Sequence, residues 1–319
     1  MLEVRDLKKY FELSDGRRIR AVDGVSLQVH ENEVLGIVGE SGCGKSTLGR
    51  LILRLIEPDA GNVFFGGEEI TSLSRNALRL KRRAMQMIFQ NPFSSFNAKI
   101  SIGGALMEVC RFYGMSIPES CEKIDRLLSD IGLSGDMLNR WPRELSGGQL
   151  QRLAIARAII GEPSLLIADE PLSALDVSVQ AQLLNLLDAL RASRSMAMIF
   201  ISHDMTVVEY FCDKVAVMYL GKIMELVSAA ELSHNSMHPY TRSLRASAPR
   251  LDVFKDSIKE KIAPPISGET PSLQSPIKGC PFAPRCPQAI LRCAEILPEL
   301  SEVLPEHWVR CHCLTDFTK

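Results

Sequence analysis

Apolar and polar positions change period several times along the chain, and each change marks an element. Residues 2 to 10 alternate loosely and predict an edge strand, followed by Tyr10-Phe11 and a polar turn, Ser14-Asp15-Gly16-Arg17-Arg18. Val25 to Val29 and Glu33 to Val38 are predicted strands, whereas Leu48 to Ile56 has apolar residues at helical spacing. Gly61 to Gly67 predicts a strand ending in a turn. Leu78 to Arg83 predicts a basic helix, and Met85 to Phe89 a strand that stops at Gln90-Asn91-Pro92.

From Ile102 to about Leu133 the period becomes three and four: Leu106, Val109, Cys110 and Tyr113, then Ile124, Leu127, Leu128 and Ile131. Pro118 and Glu119 mark the start of the second helix, so a helical insertion is expected between two strands. Further helices are predicted over Gly147–Ile160, Val177–Ala192 and Met205–Cys212, and strands over Ser164–Ala168 and Met196–Ile201. Two more strands, Lys214–Tyr219 and Lys222–Val227, flank a turn at Leu220-Gly221. Strands alternating with helices predict an α/β fold with a parallel sheet covered on both faces. After about residue 250 the texture shifts. Nine of the seventeen prolines lie between Lys261 and Lys319, which predicts a linker near Lys255 to Glu269 and then a loop-rich appendage.

Composition narrows the function. A chain of 319 residues, 46% hydrophobic, has room for one large domain with an appendage or two modest ones. The net charge of −1 gives no basis for binding nucleic acid or an anionic membrane surface. Met1 to Asp6 carries no apolar signal core, and no apolar run approaches the ~18 residues of a membrane span. A cytosolic location is expected, with any membrane role arising through partners. Of nine cysteines, Cys43, Cys110, Cys121 and Cys212 are scattered. Cys280, Cys286, Cys293, Cys311 and Cys313 cluster at the end, which in a cytosolic protein points to a metal before disulfides.

The candidate chemistry centres on Gly39-Glu40-Ser41-Gly42-Cys43-Gly44-Lys45-Ser46-Thr47, which fits the phosphate-binding pattern G-x-x-x-x-G-K-[ST] between a strand and a helix. Such glycines let successive backbone N–H groups point at phosphate oxygens. Lys45 would reach the β- and γ-phosphates, Ser46 would serve Mg²⁺ and Thr47 the α-phosphate. A nucleoside triphosphate is the expected ligand. Leu165 to Glu170 is an apolar strand ending in two carboxylates. Asp169 is placed to hold Mg²⁺ or one of its waters, and Glu170 to polarise a water against the γ-phosphate. Leu145-Ser146-Gly147-Gly148-Gln149 opens a helix and offers a second anion site.

With these motifs in this order, residues 1 to about 250 resemble the nucleotide-binding subunit of an ABC transporter. Leu145 to Gln149 matches the family's signature sequence, Gln90 its Q-loop glutamine, Ser173-Ala174-Leu175-Asp176 its D-loop and His203 its switch histidine. Phe11 lies where the family places an aromatic that stacks on adenine, although a strand-end aromatic also serves core packing. The resemblance implies a P-loop (RecA-like) parallel-sheet core with an N-terminal antiparallel β subdomain, a helical subdomain at about 91–143 and a loop-rich, Cys-containing C-terminal extension over 251–319. It also implies that Gly39, Ser41, Gly42, Cys43, Gly44, Lys45, Ser46 and Thr47 hold the phosphates. Ser46, Gln90 and Asp169 then serve Mg²⁺, Glu170 is the base and His203 bonds the γ-phosphate. Ser146, Gly147, Gly148, Gln149 and Asp176 would complete a site on a second, similar ATPase, so that ATP closes a head-to-tail dimer.

His238-Pro239-Tyr240-Thr241-Arg242-Ser243-Leu244 and the tail from Gly279 to Pro287, ending in His307-Trp308-Val309-Arg310-Cys311-His312, resemble, within that family, the ATPases of oligopeptide, dipeptide and nickel importers. This implies an ATPase powering peptide import, or import of nickel or another small solute. It would work at the cytoplasmic face of the membrane with two permease subunits and, indirectly, an extracellular solute-binding protein. A soluble ABC ATPase of another role is the alternative. In relatives such a tail can carry a [4Fe–4S] cluster. The matching candidates are Cys280, Cys286, Cys293 and Cys311, with Cys313 a possible substitute for Cys311. Their spacing fits neither ferredoxin pattern and lacks the C-x₂-C pairs usual for zinc, so zinc and free thiols stay open.

Overall fold

The computed structural model describes residues 1–14, 16–173, 175–247 and 278–314. The linker expected near Lys255 to Glu269, together with Asp15 and Ala174, lies outside the described residues. Among these the strands are β1 (Leu2–Glu12), β2 (Arg18–Val29), β3 (Val34–Val38), β4 (Ala60–Phe65), β5 (Glu68–Glu69), β6 (Met85–Ile88), β7 (Leu165–Asp169), β8 (Ala197–Ser202), β9 (Lys214–Tyr219), β10 (Lys222–Ser228), β11 (Ser301–Leu304) and β12 (His307–Val309). The α-helices are α1 (Lys45–Ile52), α2 (Arg75–Lys81), α3 (Ile102–Phe112), α4 (Ile117–Asp130), α5 (Gly147–Ile159), α6 (Val177–Arg194), α7 (Met205–Phe211), α8 (Ala229–Asn235), α9 (Pro239–Ala246) and α10 (Leu291–Glu295). No helix among the described residues is long and apolar enough to cross a membrane.

The chain divides into two compact units, one formed by 1–28, 34–71 and 202–319, the other by 29–33 and 72–201. In the first, the N-terminal strands form a sheet in the order β2-β1-β4-β5, with β1 and β4 antiparallel from Leu2↔Phe65. β1 is therefore an inner strand rather than the expected edge. Leu2, Val4 and Leu7 fill its buried positions, and pairing on both sides satisfies its backbone. In the same unit β3 runs parallel to β9, and β9 turns back on β10 through Leu220 and Gly221, both at positive φ. Gly36 keeps β3 close to α7: a Cβ there would stand 2.5 Å from a Val208 methyl and 2.8 Å from the Cys212 sulfur.

The expectation of a loop-rich tail misses a pair of strands. β12 adds antiparallel to β10, with Glu225↔Val309 and Leu226↔Trp308, and β11 adds to β12. Two short runs, Ser301–Leu304 and His307–Val309, flank a turn at Pro305-Glu306 and offer little periodicity to read.

In the second unit β6, β7 and β8 are parallel neighbours, and every residue of β7 and β8 is buried. Continuous Leu, Ile, Ala and Met runs suit strands covered on both faces. The helical insertion begins where Ser101 caps α3 by accepting from the Gly104 N–H at 3.3 Å. α4 begins where the Glu119 carboxylate accepts from the Ser116 N–H at 2.8 Å. Leu106 and Cys110 of α3 and Ile124, Leu127 and Leu128 of α4 are buried, as their spacing predicts. The ring of Tyr113 occupies the space where a side chain on Gly161 would lie, 1.9 Å from such a Cβ.

Candidate phosphate loop and its supporting residues

The loop Gly39–Gly44 joins the buried β3 to α1. Gly44 has φ 108°, and a Cβ on it would lie 1.9 Å from the Ala21 carbonyl oxygen. A Cβ on Gly39 would lie 2.1 Å from the Met218 carbonyl oxygen. Both contacts are with backbone, which cannot swing aside, so only glycine fits. Cys43 is buried, and its carbonyl accepts from the Gly221 N–H at 2.9 Å, tying the loop to the β9–β10 turn. Burial pushes the Cys43 thiol pKa up despite the nearby Lys45.

Lys45, only 4% exposed, donates to the carbonyl oxygens of Gly39 at 2.8 Å and Glu40 at 3.0 Å. The ammonium thus sits inside the ring of loop peptides where a phosphate oxygen would replace those carbonyls. Ser46 and Thr47 follow on the first turn of α1 and are half-buried, and Ser41 and Gly42 are exposed. In the same unit His203 is exposed just after β8, presented by a turn in which Asp204 caps α7, accepting from Thr206 at 2.9 Å. Phe11 is 36% exposed near the end of β1, its ring centroid 5.7 Å from Lys9 Nζ. Tyr10 beside it is tied down, its hydroxyl donating to Asp23 at 2.6 Å.

In the second unit Asp169 ends β7 fully buried, and Glu170 follows at φ 46°. That left-handed step turns the second carboxylate away from the line of the strand. Gln90 Nε2 donates to it at 2.9 Å. Ser146 caps α5: its hydroxyl accepts from the Gln149 N–H at 3.3 Å, while the Gln149 side-chain oxygen accepts from the Ser146 N–H at 3.0 Å. Gly148 faces Val179, whose methyl would lie 3.0 Å from a Cβ, and Gly147 faces Leu175. Asp176 caps α6, accepting from the Ser178 hydroxyl at 2.7 Å and the Val179 N–H at 2.9 Å, which hold its carboxyl below the usual range. The structure therefore groups Phe11, the phosphate loop and His203 in one unit. Gln90, Asp169, Glu170, the Ser146 loop and Asp176 fall in the other.

Residues that motif reading passes over stand behind the loop. His238, buried, caps α9 through Nδ1, which accepts from the Tyr240 N–H at 3.0 Å. Burial depresses its pKa to about 4. Tyr240 accepts from the Glu40 N–H at 3.0 Å, and Arg285 donates two hydrogen bonds to the Glu40 carboxylate. Glu225 is fully buried. It accepts from the backbone of Met237 at 2.7 Å and His238 at 3.0 Å and pairs with His307 Nε2 at 2.8 Å. For His238, Tyr240 and Arg285 the signal is the peculiarity of the stretches His238–Leu244 and Gly279–Pro287, but nothing in their spacing names the loop as their target; Glu225 and His307 lie in neither stretch.

The C-terminal thiols belong to the same unit. Cys280 and Cys293 are buried, and the Cys280 N–H donates to the Cys293 carbonyl at 2.7 Å. Burial, reinforced by the neighbouring thiols of Cys293, Cys311 and Cys286, pushes Cys280 up to about 12. Soft sulfur donors of this number suit zinc or iron. Among the described residues, however, no group of three or more His, Cys, Asp or Glu side chains stands in a metal-holding arrangement.

Two stretches of the chain match known families. Residues 22–173 match the ABC transporter family, and residues 224–293 match the oligopeptide/dipeptide transporter C-terminal region. The oligopeptide transport ATP-binding protein AppF of Bacillus subtilis is 46% identical over 320 residues, covering 98% of this chain and 97% of that protein. A putative peptide import ATP-binding protein of Brucella ovis is 45% identical over 312 residues, with 98% and 97% covered. Among solved structures, the dimeric bacterial ABC transporter cassette MJ0796 is 27% identical with a TM-score of 0.66, covering 72% of this chain and 99% of that one. The same cassette in a dimeric post-hydrolysis state bound to ADP and Pi is similar to this chain at the same TM-score. With identity of this level sustained along nearly the whole of both chains, the protein belongs to the ATP-binding proteins of the ABC transporter family.

Proposed function

We propose that this chain binds and hydrolyses ATP to power peptide import through an ABC transporter. The observation that carries the ATPase reading is the loop Gly39–Gly44, closed to any Cβ at two glycines and holding the buried Lys45 ammonium at its centre. The peptide reading rests on the match of residues 224–293 and on the names of the relatives. Residues 1–250 form the ATPase domain, with a helical part at about 91–143, and 251–319 the extension. Nickel or another small solute is the second reading of the cargo, since the same C-terminal pattern resembles that of nickel importers.

Phosphoryl transfer asks mainly for positioning and neutralisation of charge. Loop N–H groups and Lys45 hold the β- and γ-phosphates, Lys45 leaving the two carbonyls it now contacts. The hydroxyl of Ser46, the amide oxygen of Gln90 and the carboxylate of Asp169 are hard oxygen donors and fit Mg²⁺. When bound, that ion would supply neutralisation of the phosphate charge. Glu170 orients and deprotonates the attacking water, and His203 bonds the γ-phosphate. Gln90, released from Glu170, passes the state of the site to the helical part, where permease subunits dock. Ser146 to Gln149 and Asp176 complete the site of a second ATPase subunit at the cytoplasmic face of the membrane. ATPase assay of the purified chain, and of the chain recovered with its permeases and stimulated by peptide-loaded binding protein, tests this. Stimulation by a nickel-loaded protein alone would replace the peptide reading with the second.

We propose further that Cys280, Cys286, Cys293 and Cys311 gather on a [4Fe–4S] cluster when one is bound, with zinc or free thiols the alternatives, although among the described residues they do not stand in a metal-holding arrangement. Cys311 is favoured over Cys313 because its sulfur accepts the Cys313 N–H at 3.4 Å, whereas the Cys313 thiol donates to the Gln288 carbonyl at 3.3 Å. Anaerobic purification should give brown protein with iron and sulfide. Colourless protein with stoichiometric zinc would rule the cluster out.

A further inference from the structure

We propose that Arg285 is a positioning residue of the phosphate loop, through which the Cys-rich extension sets the affinity for ATP. Its Nη1 donates to Glu40 Oε2 at 2.9 Å and its Nη2 to Glu40 Oε1 at 3.0 Å, a two-pronged pairing that fixes orientation as well as charge. Nη1 also donates to the Tyr219 hydroxyl at 3.1 Å. The pair is sheltered, with the Arg285 side chain 7% exposed and that of Glu40 19%.

Glu40 is the second residue of the phosphate loop, and it is held at both ends. Its N–H donates to Tyr240 at 3.0 Å, its side chain is gripped by Arg285, and its carbonyl accepts from Lys45. The peptide planes on either side of it are therefore set by residues far along the chain. A phosphate-binding loop works by having its N–H groups oriented before the ligand arrives, so this restraint lowers the cost of binding. The pairing has an electrostatic consequence too. Without Arg285, the Glu40 carboxylate would lose two charge-assisted hydrogen bonds in a loop that must receive a triphosphate.

Arg285 is delivered by a single turn, Ala283–Arg285, between Cys280 and Cys286. Phe282, fully buried, anchors that turn, its ring centroid 5.5 Å from Tyr219, 5.3 Å from Tyr240 and 5.9 Å from His238. Whatever fixes the Cys280–Cys286 turn also fixes the guanidinium on the loop.

The inference rests on Gly39–Thr47 being the phosphate loop, and the test separates the two. ATP affinity and steady-state kinetics are measured on the full chain for wild type, Arg285→Gln, Arg285→Lys, Glu40→Gln and the double variant Arg285→Gln/Glu40→Gln, with Tm for each. Arg285→Gln should weaken ATP binding and raise KM about tenfold, the scale of a sheltered charge-assisted pair, with kcat at saturating ATP changed much less. Arg285→Lys, which keeps the charge but loses the fork, should fall between. The double variant should bind better than Arg285→Gln alone, because the loop then no longer carries a negative charge that has lost its guanidinium. Equal ATP affinity in Arg285→Gln and wild type, with only Tm lowered, would overturn the proposal. If Arg285→Gln does not fold, equal affinity in wild type, Arg285→Lys and Glu40→Gln overturns it as well. Failure of the wild type to bind ATP would refute the phosphate-loop assignment itself.

Discussion

Gln90 Nε2 donates to Glu170 Oε2 at 2.9 Å, joining the ends of two parallel neighbours, β6 and β7. Glu170 reaches this position because it leaves β7 at positive φ, and its carbonyl is fixed by the Ser173 hydroxyl at 3.0 Å. A carboxylate engaged by an amide is parked: it must exchange Gln90 for a water before it acts as a base. Glu170→Gln should therefore bind ATP as the wild type does, yet hydrolyse it roughly 10²- to 10⁴-fold more slowly, the usual contribution of a positioned base. Size-exclusion chromatography with ATP should then reveal a trapped dimer. Unchanged turnover would remove Glu170 from the role of base.

Gly44→Ala tests the loop itself. The substitution forces a side chain into φ 108° and to within 1.9 Å of the Ala21 carbonyl oxygen. The loop or β2 must shift, and ATP binding should fall below detection in a titration that gives saturable binding for the wild type. Gly42→Ala is the contrast: it has positive φ but no atom within 4 Å of a new Cβ. Its cost should be backbone strain alone, about 1 kcal/mol.

His238 makes the protein acid-sensitive. Its ring is neutral and buried, with Nδ1 accepting a backbone N–H, and its pKa falls from the ordinary 6.5 to about 4. Below 6.5 the unfolded chain binds this proton and the folded chain does not, so stability falls as pH drops from 6.5 towards 4. The full loss is on the order of 3 kcal/mol. Burial alone would raise the Glu225 carboxyl, but His307 and the Met237 N–H hold it below its usual range, so it adds a loss at the acid end of the same window. Thermal melts between pH 7.5 and 4 should show the slope. His238→Asn, which keeps the cap acceptor and removes the titration, should flatten it between 6.5 and 4.

The Glu225–His307 pair can be probed separately. Both side chains are 0% exposed, and they link β10 to the first residue of β12. His307→Ala leaves the carboxylate buried with one partner fewer and should cost about 3 kcal/mol in denaturant unfolding. Glu225→Gln in the same background should recover part of the loss, because the charge no longer needs compensation. A cost below about 0.5 kcal/mol would place the pair in the class of weak surface bridges.

The phosphate loop, the acidic end of β7 and the Ser146 cap were legible in the sequence because local chemistry dictates them. A tight loop before a helix needs Gly39 and Gly44, and a helix start needs Ser146. The alternation of β1 does not reveal its inner position, because alternation reports which face is buried, not how many neighbours pair. The link of Tyr240 and Arg285 to Glu40 is not legible for another reason. Their meaning lies in contacts 200 and 245 residues apart, which no local period encodes. β11 and β12 were missed since three- and four-residue strands are stabilised by the partner they add to rather than by their own pattern.

The pairing of β12 on β10 bears on how the protein avoids pairing with copies of itself. An open β10 would offer its N–H and C=O groups to any passing strand, the usual seed of edge-to-edge association. β12 occupies that edge, and β11 beyond it is only four residues long, with Glu302 and the neighbouring Glu306 exposed. A chain cut before residue 278 would expose the β10 edge and leave Glu225 without His307. Self-association would then accompany the loss of Arg285 from the phosphate loop.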